Sequence, residues 1–163
     1  MGGSPKLAMV LLVPGLVVLA QDPREAAVGA VLDDWHLAAA QADETRYFAH
    51  LREGAVFLGT DATERWTKAE FQRWAHPFFK RGKAWAFKAA KRNLSFAPDG
   101  KTVWFDEELA TPNLGPARGS GLLICEQGAW RIAQYNLSVP IPNALMDKIK
   151  VQIETHLNQA SVK

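Results

Sequence analysis

The chain has 163 residues, 48% hydrophobic and 22% charged, with a formal net charge of +2 and one cysteine. That length argues for one domain, the charge leaves no footprint for a nucleic-acid partner, and Cys125 alone rules out an internal disulfide. Packing must supply the stability, and six Trp and eight Phe are there to do it, each burying roughly 150–250 Å².

The first predicted element is a leader. Lys6 precedes an apolar run from Leu7 to Ala20, followed by Gln21-Asp22-Pro23, the layout of a secretory signal peptide cleaved after Ala20. The run is broken by Pro14-Gly15 and falls short of the about 20 residues a spanning helix needs. A secreted or periplasmic location is expected, with no stable membrane anchor after cleavage. Losing residues 1–20 removes Lys6 and no acid, so the mature charge is +1.

From Glu25 to about Asp43, Val28, Val31, Leu32, Trp35, Ala38, Ala39 and Ala42 recur at helical steps. Tyr47, Phe48 and Leu51 extend this first helix until Glu53-Gly54 ends it. A short strand is predicted over Ala55–Thr60, then a polar turn, "GTDATERWT". Thr67 and Glu70 are spaced as a capping box, so Trp66 sits just outside a second helix whose inner face holds Phe71 and Trp74 and which Pro77 limits. Beyond Gly82, four long strands are predicted at 84–96, 102–111, 117–127 and 130–139, divided by Pro/Gly/Asn turns. Pro140 and Pro142 stop the sheet. Asn143 is expected to cap a last helix lined by Met146, Ile149, Ile153 and Leu157.

Hairpins centred on those turns make cross-strand partners sum to about 198, 228 and 255, pairing Lys91 with Glu107, Glu107 with Gly121, and Gly121 with Gln134. Alternation then puts Trp85, Phe87, Lys91, Asn93, Val103, Phe105, Glu107, Leu109, Gly119, Gly121, Leu123, Cys125, Trp130, Ile132, Gln134 and Asn136 on one face. That face is apolar at one end and polar at the other, with two glycines leaving room: a pocket floor. Arg92, Leu94, Phe96, Trp104, Asp106, Tyr135 and Leu137 fall on the outer face, with an Arg92–Asp106 pair across strands. Asn93 and Asn136 head N-x-S patterns, but their inward placement predicts that neither is glycosylated.

The order helix, short strand with a polar turn, helix and four long strands resembles the nuclear-transport-factor-two-like superfamily. "DWHLAAAQADETRYF", "FLGTDATERWT", "WFDEEL", "RGSGLL" and "WRIAQYNLSVPIPN" resemble its SnoaL-like branch, over about Ala26 to Asn143. The resemblance implies an α+β domain over residues 24–143, a cone-shaped, curved antiparallel sheet wrapped by N-terminal helices, with residues 144–163 as a C-terminal helix and tail. It also implies a homodimer through the outer sheet face. By position it places Asp61, Glu64 and Trp66 at a pocket mouth, Trp35 and His36 beside it, and Lys91, Glu107 and Asn136 on the floor. Trp85, Phe87, Phe105 and Gln134 complete the expected ligand-binding set.

Two chemistries fit. Asp61 or Glu107 is the candidate catalytic base, its pKa raised by an apolar cavity, for cofactor-free isomerisation, cyclisation or hydrolysis. Against this stands a binding protein for a small, partly apolar molecule, in which Asp61 merely makes an Asx turn and Lys91 neutralises Glu107. A third reading makes the last helix an interaction module. No cofactor is called for, and His36, His50, His76 and His156 lack metal-ligand spacing. The basic run Lys80, Arg81, Lys83, Lys88, Lys91 and Arg92 reads as a solvated face, not a nucleic-acid groove. "RGSGL" lacks the frame of a nucleophile elbow or a dinucleotide loop.

Overall fold

A computed structural model describes residues 22–160; the predicted leader lies outside the described residues. Helix α1 (Pro23–Ala40) starts two residues before the expected Glu25, because Asp22 caps it by accepting a hydrogen bond from the Arg24 amide and Pro23 suits the first turn. It does not run on to Leu51. Ala42 takes a positive φ of 54°, and the Asp43 amide reaches back to the Ala38 carbonyl, closing a Schellman turn. Asp43 then caps a separate helix α2 (Glu44–Ala49). Asp34 of α1 holds this corner, paired with Arg46 and 2.7 Å from His50 Nε2.

Strand β1 (Leu51–Leu58) begins at once, earlier than periodicity implied. A three-residue strand β2 (Arg65–Thr67), hidden in the polar turn, folds back on it and sets Trp66 opposite Phe57. The Thr67–Glu70 capping box opens α3 (Lys68–Lys80) as predicted. Pro77 does not limit this helix. It sits in the last turn, where its missing N–H forfeits one bond, and Phe79, two residues on, is still helical and buried.

Strands β3 (Lys88–Phe96), β4 (Thr102–Ala110), β5 (Ala117–Glu126) and β6 (Ala129–Ser138) form the predicted meander, except that β3 starts at Lys88 and not at residue 84, so Trp85 and Phe87 lie in the loop before it. The sheet order is β2-β1-β6-β5-β4-β3, and β1 runs parallel to β6, so this curved sheet is mixed instead of wholly antiparallel. Val28, Leu32 and Trp35 of α1, with Phe71 and Ala75 of α3, pack on Val103, Phe105, Leu123, Ile132 and Tyr135 of the sheet, all at most 4% exposed.

Two bulges decide which side chains face that core. In β3, Ala89 pairs with Leu109 but Lys91 with Glu108, leaving Ala90 supernumerary; in β6, Ile132 pairs with Leu123 but Gln134 with Leu122, leaving Ala133 supernumerary. Each extra residue reverses alternation in the rest of its strand. Arg92, Leu94 and Phe96 therefore share Glu107's face, while Lys91 and Asn93 point outward. Tyr135 and Leu137 likewise turn inward and Gln134 and Asn136 outward, correcting the predicted floor. Glu107 pairs with Arg92 and Gly119, not with Lys91 and Gly121. Asp106 receives a hydrogen bond from Asn93, not an Arg92 ion pair. The premise that both N-x-S asparagines are hidden fails with the register.

After Ser138 the chain passes Pro140 and Pro142 into a single 3₁₀ turn, Asn143–Leu145, without a side-chain cap from Asn143. Helix α4 (Met146–Ala160) follows, with Met146, Val151, Ile153 and Leu157 between 46% and 60% exposed and Ile149 half-buried.

Candidate functional site

One end of the sheet's inner side opens as an aromatic cleft of about 180 Å³. Strand β1 contributes Phe57, the turn after it Gly59, Thr60 and Glu64, β2 Trp66, and α3 Phe71 and Trp74; Trp85, Phe87 and Leu137 complete the wall. The rings are nearly parallel. Phe57 stacks on Phe71 at 3.9 Å and 16°, Trp66 lies 5.6 Å from Phe71 at 11°, and Trp74 lies 5.0 Å from Trp66 at 25°. Trp74, read from the sequence as inward-facing core, is 43% exposed. The cleft is smaller than the about 300–1,000 Å³ typical of drug-sized ligands. It is close to the roughly 150 Å³ at which an apolar cavity accepts one aromatic ring.

The inner side is closed deeper in. Glu107 is fully buried. Its Oε1 lies 2.6 Å from His36 Nε2 and accepts the Tyr135 hydroxyl at 3.3 Å, while Oε2 accepts Arg92 Nε at 2.9 Å. Arg92 also donates to Asp33 Oδ1 at 2.9 Å and to the Gly29 carbonyl at 3.3 Å, tying α1 to the sheet. Burial pushes the Glu107 carboxyl up. The His36 hydrogen bond and the neighbouring charges of His36 and Arg92 outweigh that and hold it below the usual glutamate range. Burial also drives the Tyr135 phenol well above its ordinary value, assisted by the Glu107 charge. The space beside Gly119 is filled, not hollow: a methyl group there would collide with the Tyr135 hydroxyl and approach Glu107 Cγ at 3.0 Å.

The predicted site residues thus separate into three groups. Glu64, Trp66, Trp85 and Phe87 line the cleft together. Trp35, His36, Phe105 and Glu107 are buried in or beside the charged cluster, at most 5% exposed. Asp61, Lys91, Gln134 and Asn136 do neither. Asp61 is exposed and accepts from both the Thr63 amide and hydroxyl, an Asx turn, and the Thr63 hydroxyl lowers its pKa. No apolar cavity raises either candidate base. Sequence reasoning did not assign Phe57, Gly59, Thr60, Phe71, Trp74 or Leu137 to the site. The aromatic density from residue 57 to 87 was the available signal. Among the described residues no group of three or more His, Cys, Asp or Glu side chains stands close enough to hold a metal ion.

The profile of the SnoaL-like domain matches residues 28–142, ending before α4. No curated protein matches the chain in sequence. Solved structures share its fold. A protein from Novosphingobium aromaticivorans provisionally named an aromatic ring hydroxylase aligns with TM-score 0.62 and 15% identity, over 75% of this chain and 94% of its own. One from the same species provisionally named a scytalone dehydratase gives 0.61 and 8%, over 73% and 85%. An NTF2-like protein of unknown function from Pseudomonas putida gives 0.61 and 12%, over 74% and 89%. At these identities the likeness is one of fold.

Proposed function

The chain belongs to the SnoaL-like domain family, and from that premise we propose that it binds a small, flat, largely apolar molecule without turning it over. The observation that carries this reading is the cleft itself: near-parallel rings leave one ring-sized opening at the sheet's end. Burying a single ring there removes apolar surface from water at about 25 cal/mol per Å² and adds stacking of about 0.5–1.5 kcal/mol. Acid–base turnover is weakened by the state of the buried carboxylate. Glu107 is neutralised by Arg92 and His36, and both its oxygens are occupied. The test is titration with single-ring compounds followed by tryptophan fluorescence and amide shifts. Saturable shifts confined to Trp66, Trp74 and Trp85 support the reading; shifts scattered over the surface, or none, refute it.

The reading includes export and pairing. Cleavage after Ala20 would give a mature chain beginning Gln21, which N-terminal sequencing of periplasmic material checks. Pairing uses the outer sheet face, where Trp104 is 51% exposed beside the half-buried Leu122 of the next strand. Light scattering should then show a dimer that Trp104→Glu dissociates.

A second reading has one observation in its favour. Helix α4 leaves Met146 and Ile153 exposed, as a docking helix would. Its amides should exchange rapidly in the purified protein and slow when a partner is present.

A further inference from the structure

The geometry points to a cationic ligand for the cleft: a single-ring compound carrying an amine or ammonium group, its positive nitrogen held against Glu64. This rests on the cleft-binding reading above and adds the charge of the occupant to it.

Three observations converge. First, the wall carries a single charged side chain, the Glu64 carboxylate, and no Lys, Arg or His. An anion would face that carboxylate with nothing to offset it, whereas aromatic faces attract cations through their quadrupoles.

Second, Glu64 is half-buried yet unmatched. Its Oε2 accepts the Asp61 amide at 3.2 Å. Among the described residues Oε1 has no donor, and neither oxygen has an ion-pair partner. The adjacent Arg65 is not bridged to it. The contrast with Glu107 is direct, since that carboxylate is met by His36, Arg92 and Tyr135. A carboxylate partly withdrawn from water gains most from a cation brought to it.

Third, the backbone makes room for this side chain. A methyl group on Gly59 would overlap the Glu64 Oε2 and lie 2.9 Å from its Cβ. The bare residue lets the carboxyl lie flat against the turn, at the lip of the cleft. The Gly59 amide donates to the Glu64 carbonyl at 2.9 Å, which fixes the register of the turn and with it the direction of the side chain. Thr60, also on the wall, offers a hydroxyl for a second polar contact.

The probes are benzylamine, benzyl alcohol and benzoate, matched in size and differing in charge, titrated into the purified protein and followed by amide shifts. Benzylamine should bind about tenfold more tightly than benzyl alcohol, an advantage that shrinks with added salt, and benzoate should bind most weakly. Glu64→Gln should bring benzylamine to the level of benzyl alcohol measured in the same variant. Gly59→Ala, which displaces the carboxyl without removing it, should erase the same preference in a protein whose circular dichroism is unaltered. If benzylamine and benzyl alcohol bind alike, or if Glu64→Gln keeps the preference, the cation assignment is overturned and cleft binding stands. If none of the three perturbs the cleft, both fall together.

Discussion

The two ends of the sheet's inner side use similar materials to opposite effect. Around Glu107 the charged groups are met by partners: His36, Arg92 and Tyr135 on the carboxylate, Asp33 and the Gly29 carbonyl on the guanidinium. Around Trp66 the rings stack on one another but leave a gap, and among the described residues Glu64 lacks a counter-charge. A buried charge is tolerated only when paired, so the first arrangement reads as a clamp between helix and sheet. The second has unused capacity, which is what a binding site requires.

The largest expected effect attacks the closed end. Glu107→Gln takes the buried carboxylate away from His36 and leaves Asp33, at the exposed end of the guanidinium, as the remaining carboxylate on Arg92; it should cost about 3–5 kcal/mol in urea unfolding. A loss below 1 kcal/mol would mean that the cluster is not a clamp. Gly119→Ala forces a methyl group into Tyr135 and should cost about 1–3 kcal/mol by the same measurement.

Acid tests the clamps without mutation. Asp34, held by Arg46 and His50, has its pKa lowered from 3.8 to about 2, and Glu107 is also depressed. Both carboxyls therefore bind a proton more readily in the unfolded chain. Their contribution is complete above the unfolded pKa and is lost as pH falls through the folded one. Stability should fall across the window from about 3.8 to about 2, and Asp34→Asn should flatten that part of the pH profile.

Smaller effects separate the two ends. Tyr135→Phe removes one long hydrogen bond to Glu107 and should cost about 1 kcal/mol, leaving ligand binding intact. Trp74→Ala acts on the open end: it should cost about 1–2 kcal/mol, because the ring is 43% exposed but stacks on Trp66 and Phe71, and should weaken binding of a single-ring compound several-fold.

Much of the fold was legible because the signals were local. The Thr67–Glu70 box and the Pro98-Asp99-Gly100 turn each act within a few residues, and both operate where their sequence places them. The α1–α2 break was not, because an alanine took the left-handed position that usually advertises itself as glycine. The site was lost to the same kind of silence. Ala90 and Ala133 are ordinary strand residues, and nothing in either side chain says that it will bulge. The β6 bulge moved the pairing by one and exchanged Gln134 for Tyr135 in the interior; in β3 the hairpin turn itself set the pairing one residue off, placing Arg92 instead of Lys91 beside Glu107, and the bulge at Ala90 restores the expected register at Ala89–Leu109. Glu64, Trp66, Trp85 and Phe87 survived because all four precede the first residue of β3 and depend on none of the meander's registers.

The outward turn of Lys91 has a use that its absence from the cleft does not diminish. β3 is the last strand of its sheet, and its outer rim offers unpaired backbone to any extended segment that drifts past. Lys88 and Lys91 stand solvated along that rim, and an arriving strand would have to strip water from both ammonium groups before it could add on. The displaced lysine thereby discourages the chain from stacking into fibres.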